Sequence, residues 1–352
     1  MDWKTCNYSK EYLNEMIDIT KQNYGDIEIS DIEFLQWQYF SNPSGEAFIK
    51  LAKSIKDEVV GQYIVIPMKI KVNDNIVKST LSLNTLTRKD YRGKGIFTGL
   101  ANALYQDCKE QNVEFTYGFP NQNSYPGFMK KLEFSDLGEI PLMLYPLNIK
   151  QLVLKKFNSA FLALLSSPFK SIFNIKIRNK HNLKIKEIDD FEEFNVFWEK
   201  IKSKYKVIGL RDSQYMKWRY SNVPRRKYKI IGVYRNNELI AYAVTRDSEI
   251  EHFRCGMIVD YMVNEGEKEA GKFLLSEVLN IFKRDGMELV GCLMGKATEE
   301  YSILKKCKFL KCPKFLEPQP FKVIYRNHLY KHDKTLENLD NWFLTMGDYD
   351  VI

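Results

Sequence analysis

The stretch Asp31–Tyr39, which reads DIEFLQWQY, recurs as Asp212–Tyr220, DSQYMKWRY, at a spacing of 181 residues. The two stretches share Asp, Trp and Tyr in register, and a Ser-Asn pair and a proline follow each of them. Two more matches follow in the same order, EVVG at 58–61 with ELIA at 238–241 and KKLEF at 130–134 with KKCKF at 305–309. One match alone is weak, but three in the same order predict a duplicated domain.

Each copy has the hydrophobic pattern of a mixed α/β domain. After an opening helix, a β-rich hairpin is predicted at 47–52 and 59–66, and again at 228–233 and 239–244. A third strand, Ser79–Thr87, leads through a glycine-bearing loop into a helix with an apolar stripe from Phe97 to Cys108. We therefore expect an α/β fold with mixed sheets. The predicted parts are two tandem domains at 1–150 and 186–335, a linker at 151–185 and a C-terminal tail at 336–352.

The composition is that of an ordinary globular chain with a basic surface. Of 352 residues, 53 are Lys or Arg and 45 are Asp or Glu, and the net charge of +8 favours an anionic partner or simply a basic solvated surface. The six cysteines form no Cys-x-x-Cys pair and the four histidines are scattered, so no metal site is expected. A polar start without signal-peptide character and scattered thiols predict a cytoplasmic protein.

The linker contains a stretch that has to be tested as a membrane span. Its longest uncharged run, Phe157–Phe169, includes Asn158 and Pro168 and is shorter than the about 20 apolar residues of a transmembrane helix. No membrane span is therefore predicted. Two interpretations stay open: an interdomain helix that packs on a neighbour, and an amphipathic helix that contacts a membrane surface peripherally.

The segment Thr87–Thr98, TRKDYRGKGIFT, is predicted to bind an anion. Gly93 and Gly95 let the backbone bend until several N–H groups face one concavity. The helix that begins there adds the positive end of its dipole. Arg92 and Lys94 supply the full charges that two phosphates need.

This loop resembles the acetyl-CoA pyrophosphate-binding motif of the GNAT superfamily of N-acetyltransferases, R/Q-x-x-G-x-G/A. Arg92, Gly95 and Phe97 occupy its defined positions, although the family has a small residue where this chain has Phe97. The resemblance implies acetyl-CoA as co-substrate, with the strand before the loop pairing with its pantetheine arm. The residues implied in its binding are Leu86, Thr87, Arg92, Gly93, Lys94, Gly95, Ile96, Phe97, Thr98 and Asn123.

A later segment, Pro120–Phe134, is similar to the family motif N-x-x-A-x-x-x-Y-x-x-x-G-F, with Asn121 or Asn123 as its asparagine. The tyrosine that commonly protonates the leaving thiolate in the family is replaced here by Met129, which has no proton to donate. Tyr125 in the same loop is the candidate replacement, and a loop tyrosine that only packs is the alternative.

The second copy departs further from the family. Its equivalent loop, Val263–Gly271, has three glutamates where a pyrophosphate needs positive charge, and Leu304 stands where the tyrosine is expected. Like-charge repulsion argues against a second cofactor. We therefore expect the second domain to be degenerate, with a structural or acceptor-binding role.

The end of the chain, Asn341–Ile352, is unusually rich in aromatic and aliphatic residues and is predicted to dock. If it docks between the domains, Asp348, Asp350 or the terminal carboxylate are candidates to orient an acceptor ammonium and take its proton. The alternative is a charged end that Trp342 anchors.

The resemblance implies an acyltransferase that moves an acetyl group from acetyl-CoA to a primary amine by direct attack in a ternary complex. Backbone N–H groups near Leu86 would stabilise the oxyanion, and an amino sugar is the leading acceptor. The expected partner is thus a small-molecule amine, with no nucleic acid. Two alternatives stay open: an aminoacyl-tRNA-dependent transferase of the peptidoglycan-bridge type, and a non-catalytic acyl-CoA-binding module.

Overall fold

The computed structural model describes residues 2–157, 177, 182–250, 252–314 and 317–349. Most of the predicted linker lies outside these residues, and so do its two interpretations. None of the helices within these ranges is long and apolar enough to cross a membrane.

The order of helices and strands follows the repeated pattern predicted from the sequence. The strands are β1 (Trp3–Asn7), β2 (Phe48–Ser54), β3 (Val59–Val72), β4 (Asn75–Thr87), β5 (Phe115–Gly118), β6 (Ser135–Glu139), β7 (Leu142–Pro146), β8 (Lys184–Glu187), β9 (Val207–Gly209), β10 (Lys229–Arg235), β11 (Glu238–Ile250), β12 (Phe253–Val263), β13 (Leu289–Leu293), β14 (Leu310–Lys311), β15 (Lys322–Asn327) and β16 (Trp342–Phe343). The α-helices are α1 (Leu13–Tyr24), α2 (Ile32–Phe40), α3 (Ile96–Glu110), α4 (Tyr125–Lys131), α5 (Ile149–Phe157), α6 (Glu193–Ile201), α7 (Ser213–Met216), α8 (Lys268–Arg284), α9 (Glu299–Lys306) and α10 (Asp333–Leu336).

The chain forms two compact units, and neither is contiguous in sequence. Unit 1 comprises residues 1–139, 214–226 and 322–339. Unit 2 comprises the described residues among 140–213, 227–321 and 340–352. These units differ from the contiguous domains expected at 1–150 and 186–335, because each unit takes a strand from the end of the other copy.

The sheet of unit 1 has the strand order β1-β2-β3-β4-β5-β15-β6. Strands β4 and β5 are parallel, and the other neighbours are antiparallel. Strand β15, which follows the second copy in sequence, lies between β5 and β6. Helix α3 packs on β2 and β3, and its apolar stripe contributes Leu100, Leu104 and Cys108 to the core. This stripe is the one that the sequence predicted.

Unit 2 repeats this plan with the order β14-β7-β13-β12-β11-β10-β8. Strands β12 and β13 are the parallel pair, and β7, which ends the first copy, lies between β14 and β13. Strands β9 and β16 pair in parallel, with Trp342 beside Val207 and Phe343 beside Ile208. The last strand of each copy is therefore built into the sheet of the other copy.

The repeated tryptophans contact each other inside unit 1. The rings of Trp37 and Trp218 stack with their centroids 5.0 Å apart and their planes at 21°. Each indole N–H donates to the backbone oxygen of the other residue, at 2.8 Å from Trp37 and 3.2 Å from Trp218. These reciprocal bonds help to fix residues 214–226 in unit 1.

Candidate functional site

The predicted anion-binding loop connects β4 to α3 in unit 1. A short 3-10 helix, Lys89–Tyr91, follows β4, and Gly93 and Gly95 then both adopt φ of +79°. This left-handed conformation favours glycine over any residue with a side chain. A Cβ added at either glycine would meet no described heavy atom within 4 Å, so both face open space.

The N-terminus of α3 presents backbone donors beside this loop. The first hydrogen bond of the helix runs from the Gly99 N–H to the Gly95 oxygen at 2.9 Å. The N–H groups of Ile96, Phe97 and Thr98 precede it and have no acceptor inside the helix. Together with the helix dipole, these groups make the N-terminus of α3 a candidate anion site, which stays a prediction from the sequence.

The cations of the loop differ in how they are neutralised. Arg88 binds Asp90 at 2.7 Å and Glu58 at 3.3 Å. The Lys94 ammonium binds Asp2 at 3.2 Å.

Arg92 has neutral partners instead. Its guanidinium donates to the side-chain oxygen of Asn23 at 3.0 Å and to the backbone oxygen of Thr87 at 3.3 Å. Within the described ranges, no carboxylate lies within ion-pair distance of it. Arg92 is exposed, so its charge is open to an anionic ligand.

The strand before the loop has an open edge. Strand β4 pairs with β5 from Ser79 to Ser82, and no other described strand pairs with it on that side along Leu83–Thr87. Leu86 and Thr87, which the resemblance assigned to the pantetheine arm, pair with β3 on the other side. A β-bulge lies in β4 at the start of this segment, since Ile64 faces Leu83 whereas Gln62 faces Leu86. The open segment can therefore pair with an amide-bearing chain.

Phe97 points into the core instead of toward the loop. Its ring lies 5.7 Å from Tyr63 and 5.4 Å from Phe128, measured between centroids. A Cβ at Gly127 in α4 would lie 3.0 Å from this ring, so glycine at 127 makes room for it. The departure from the small residue of the family is thus accommodated by packing.

The two asparagines of the later segment have different environments. Asn121 accepts hydrogen bonds from the backbone N–H groups of Asn123 and Ser124, both at 3.0 Å, and so fixes the turn before α4. Asn123 is exposed. Met129 packs against the hydrophobic core of unit 1.

Tyr125 takes part in a polar group that the sequence did not predict. Its hydroxyl donates to Asp136 at 2.5 Å, and Lys322 binds the same carboxylate oxygen at 3.0 Å. The hydrogen bond to Asp136 raises the pKa of Tyr125 above its usual value. Burial favours a higher pKa for Asp136, but the bonds from Tyr125 and Lys322 outweigh it and lower that pKa. Tyr125 therefore keeps its proton at neutral pH.

The equivalent loop of unit 2 is acidic, and part of its charge is paired with basic residues. Gly266 keeps a left-handed conformation, with φ of +78° and open space before it. Glu267 forms an ion pair with Arg235.

The carboxylate of Glu300 accepts hydrogen bonds from groups beside this loop. It accepts bonds from the Val263 N–H at 3.2 Å, from Lys204 at 2.8 Å and from Tyr205 at 2.6 Å, and the residue is fully buried. Unit 2 thus has a buried carboxylate at the end of the strand where unit 1 has an exposed arginine.

The C-terminal tail packs into unit 2 through a buried ionic group. Arg211 binds Asp260 at 2.8 Å and Asp348 at 2.7 Å, with all three side chains fully buried. The Thr345 hydroxyl donates to Asp260 at 3.1 Å, and its N–H donates to Asp348 at 2.9 Å. Asp348 is thus a buried ion-pair partner of Arg211, and its candidate role as a base stays a prediction. Asp350 lies outside the described residues.

Sequence reasoning missed Trp3, Asn23, Asp136 and Lys322. Trp3 and Asn23 contact the loop from positions at least 69 residues away in sequence. Lys322 lies 186 residues from its partner Asp136. No local pattern in the sequence signals these contacts.

Comparison with known proteins agrees with this geometry. Residues 6–135 match the family described as acetyltransferase (GNAT) domain. No curated protein matches the chain in sequence.

Solved structures are similar to the chain along most of its length. A conserved protein of unknown function from Enterococcus faecalis, described as a probable N-acyltransferase, has a TM-score of 0.65 at 13% identity, covering 95% of this chain and 75% of its own. A GCN5-related N-acetyltransferase from Anabaena variabilis has a TM-score of 0.63 at 12% identity, covering 93% and 73%. N-myristoyltransferase of Saccharomyces cerevisiae, solved with bound myristoyl-CoA, has a TM-score of 0.60 at 12% identity, covering 92% and 82%. The expected fold of two tandem α/β domains is confirmed.

Proposed function

We propose that the chain transfers an acetyl group from acetyl-CoA to a primary amine, on the premise that residues 6–135 match the acetyltransferase (GNAT) domain family. One observation carries the proposal. The uncompensated charge of Arg92 and the free N–H groups that begin α3 lie at the end of an open strand edge. Such an arrangement suits a pyrophosphate joined to an amide-bearing arm.

In this proposal, different residues of unit 1 bind different parts of acetyl-CoA. Arg92 and the N–H groups of Ile96–Thr98 bind the pyrophosphate. The open edge Leu83–Thr87 pairs with the amides of the pantetheine arm and leaves backbone N–H groups near Leu86 for the oxyanion. Asn123, exposed before α4, is available to the same ligand.

In the reaction, the acceptor nitrogen attacks the thioester carbonyl, the amide bond forms and the carbon–sulfur bond breaks. The nitrogen loses a proton, for which Asp350 stays our predicted base, and the thiolate gains one. We assign that second proton to Tyr125, which Asp136 and Lys322 hold in place. A thiolate with a pKa of about 8.5 also leaves without an acid, so Tyr125 accelerates this step but is not essential.

Amino sugars are the acceptor class that we propose to test first. A non-catalytic acyl-CoA-binding module is the second candidate, because neither Met129 nor Leu304 can donate a proton. The aminoacyl-tRNA-dependent alternative is less well supported, since such an enzyme has no use for a CoA pyrophosphate loop.

The test is release of free CoA thiol from acetyl-CoA across a panel of amines, read with a thiol reagent beside a calorimetric titration. Binding with amine-dependent thiol release is the expected result. Binding without thiol release for any amine would favour the binding module. A chain that does not bind acetyl-CoA would refute the proposal.

A further inference from the structure

We infer that Trp3, at the start of the chain, is a positioning residue that holds the pyrophosphate loop in its binding conformation. This inference rests on the proposed function of that loop. The indole N–H of Trp3 donates to the backbone oxygen of Lys94 at 3.0 Å, across 91 residues of sequence. Lys94 is the residue between the two left-handed glycines, Gly93 and Gly95.

The direction of this hydrogen bond determines where the next N–H points. In a trans peptide the C=O of one residue and the N–H of the following residue point in opposite directions. By holding the Lys94 oxygen, Trp3 turns the Gly95 N–H away from the N-terminal strand. Gly93 and Gly95, on either side of Lys94, leave this peptide unusually free to rotate. The hydrogen bond from Trp3 restricts that rotation and so fixes the backbone of the loop.

The packing of the indole explains a glycine inside α3. A Cβ added at Gly99 would lie 2.6 Å from the Trp3 ring, closer than real Cβ contacts allow. Glycine is less favourable than alanine inside a helix, and the close contact with Trp3 accounts for its presence in this first turn. Strand β1 places the ring here through its antiparallel pairing with β2, in which Trp3 faces Ser54.

The neighbouring residue acts on the same loop in the opposite sense. The carboxylate of Asp2 binds the Lys94 ammonium at 3.2 Å, and both side chains are well exposed. Asp2 therefore competes with an incoming phosphate for Lys94, whereas Trp3 prepares the backbone for it. Two adjacent residues are thus expected to change ligand affinity in opposite directions.

The experiment compares acetyl-CoA with S-acetylpantetheine, which lacks the pyrophosphate, in titrations of the full chain. Trp3→Phe keeps an aromatic ring but loses the hydrogen bond, and we expect acetyl-CoA affinity to fall about 3- to 10-fold. The affinity for S-acetylpantetheine should not change. Asp2→Asn should strengthen acetyl-CoA binding about 2- to 5-fold, because an exposed ion pair is weak.

A merely structural role of Trp3 predicts equal losses for both ligands, and that result would overturn the inference. So would an unchanged acetyl-CoA affinity of Trp3→Phe. If Trp3→Phe folds poorly, Gly99→Ala is the second variant, because it keeps the indole but displaces its ring. The same selective loss of acetyl-CoA affinity is expected. If the unaltered chain fails to bind acetyl-CoA, the proposed function itself fails, which is a distinct outcome.

Discussion

Replacing Arg211 with methionine should destabilise unit 2 far more than neutralising either of the carboxylates that it binds. Arg211 binds both Asp260 and Asp348, and all three side chains are fully buried. Their charges sum to minus one. Arg211→Met leaves two buried carboxylates without this cation, whereas Asp348→Asn leaves the pair of Arg211 and Asp260 intact.

The magnitudes follow from burial. Removing one partner of a buried ion pair costs about 3–5 kcal/mol, because the remaining charge stays out of water. For domains of about 150–250 residues each kcal/mol corresponds to about 2–4 °C in Tm, so Arg211→Met should lower the Tm of unit 2 by roughly 6–20 °C. Asp348→Asn keeps an acceptor oxygen and should cost about 1 kcal/mol.

The assay is differential scanning calorimetry, which can resolve two units that unfold separately. Arg88→Met is the matched control, since Arg88 also binds two carboxylates but lies on the surface of unit 1, where ion pairs contribute little. Its Tm shift should be much smaller. The reasoning is refuted if Arg211→Met shifts Tm no more than Asp348→Asn or Arg88→Met does.

Two further predictions concern unit 1. Burial lowers the pKa of His328 to about 3, against about 6.5 in the unfolded chain, so the unfolded state takes up the extra proton as pH falls below 6.5. The free energy of unfolding of unit 1 should therefore fall by about 2 kcal/mol from pH 7.5 to pH 5 because of His328. Thermal unfolding of His328→Gln should lack this contribution. Equal pH dependences of stability in the unaltered protein and in His328→Gln would contradict the prediction. Tyr125→Phe should lower kcat for thiol release about 100-fold without changing acetyl-CoA affinity. An unchanged kcat would contradict this prediction and indicate that Tyr125 is only a packed loop residue that binds Asp136.

Local patterns in the sequence were sufficient for the elements around the candidate site. The predicted strand Ser79–Thr87 lies within β4, and the helical stripe from Phe97 to Cys108 lies within α3. These elements follow from hydrophobic periodicity and glycine placement, which act over a few residues. The glycine-bearing loop between them was predicted for the same reason, and its binding of an anion stays a prediction.

The exchange of strands could not be predicted from the repeat. A duplicated pattern predicts that β7 and β15 are strands, but pairing is decided by backbone hydrogen bonds that either sheet can offer. The structure places β7 beside β13 and β15 beside β5. The contiguous domain boundaries expected from the sequence therefore differ from the compact units.

The contacts that tune the site are also non-local. Arg92 was predicted as a phosphate ligand, but only the structure shows that Asn23 is its side-chain partner. Asp348 was one of the candidate bases, on the condition that the tail docks between the domains. Arg211, with which Asp348 pairs in the structure, lies 137 residues earlier in the sequence, and no pattern in the tail indicates this contact.

The most direct test of acyl-CoA binding by unit 1 alone is a calorimetric titration that compares Gly95→Glu with Gly266→Glu. Both glycines have nearly the same left-handed φ and open space before them, so the backbone strain of the two substitutions is matched. Glutamate at 95 places a negative charge in the pyrophosphate loop, whereas glutamate at 266 adds one to the acidic loop of unit 2. We expect one acetyl-CoA per chain for the unaltered protein and for Gly266→Glu, and at least a 100-fold weaker affinity for Gly95→Glu. Unchanged binding by Gly95→Glu, or binding lost only in Gly266→Glu, would contradict the assignment of the site to unit 1.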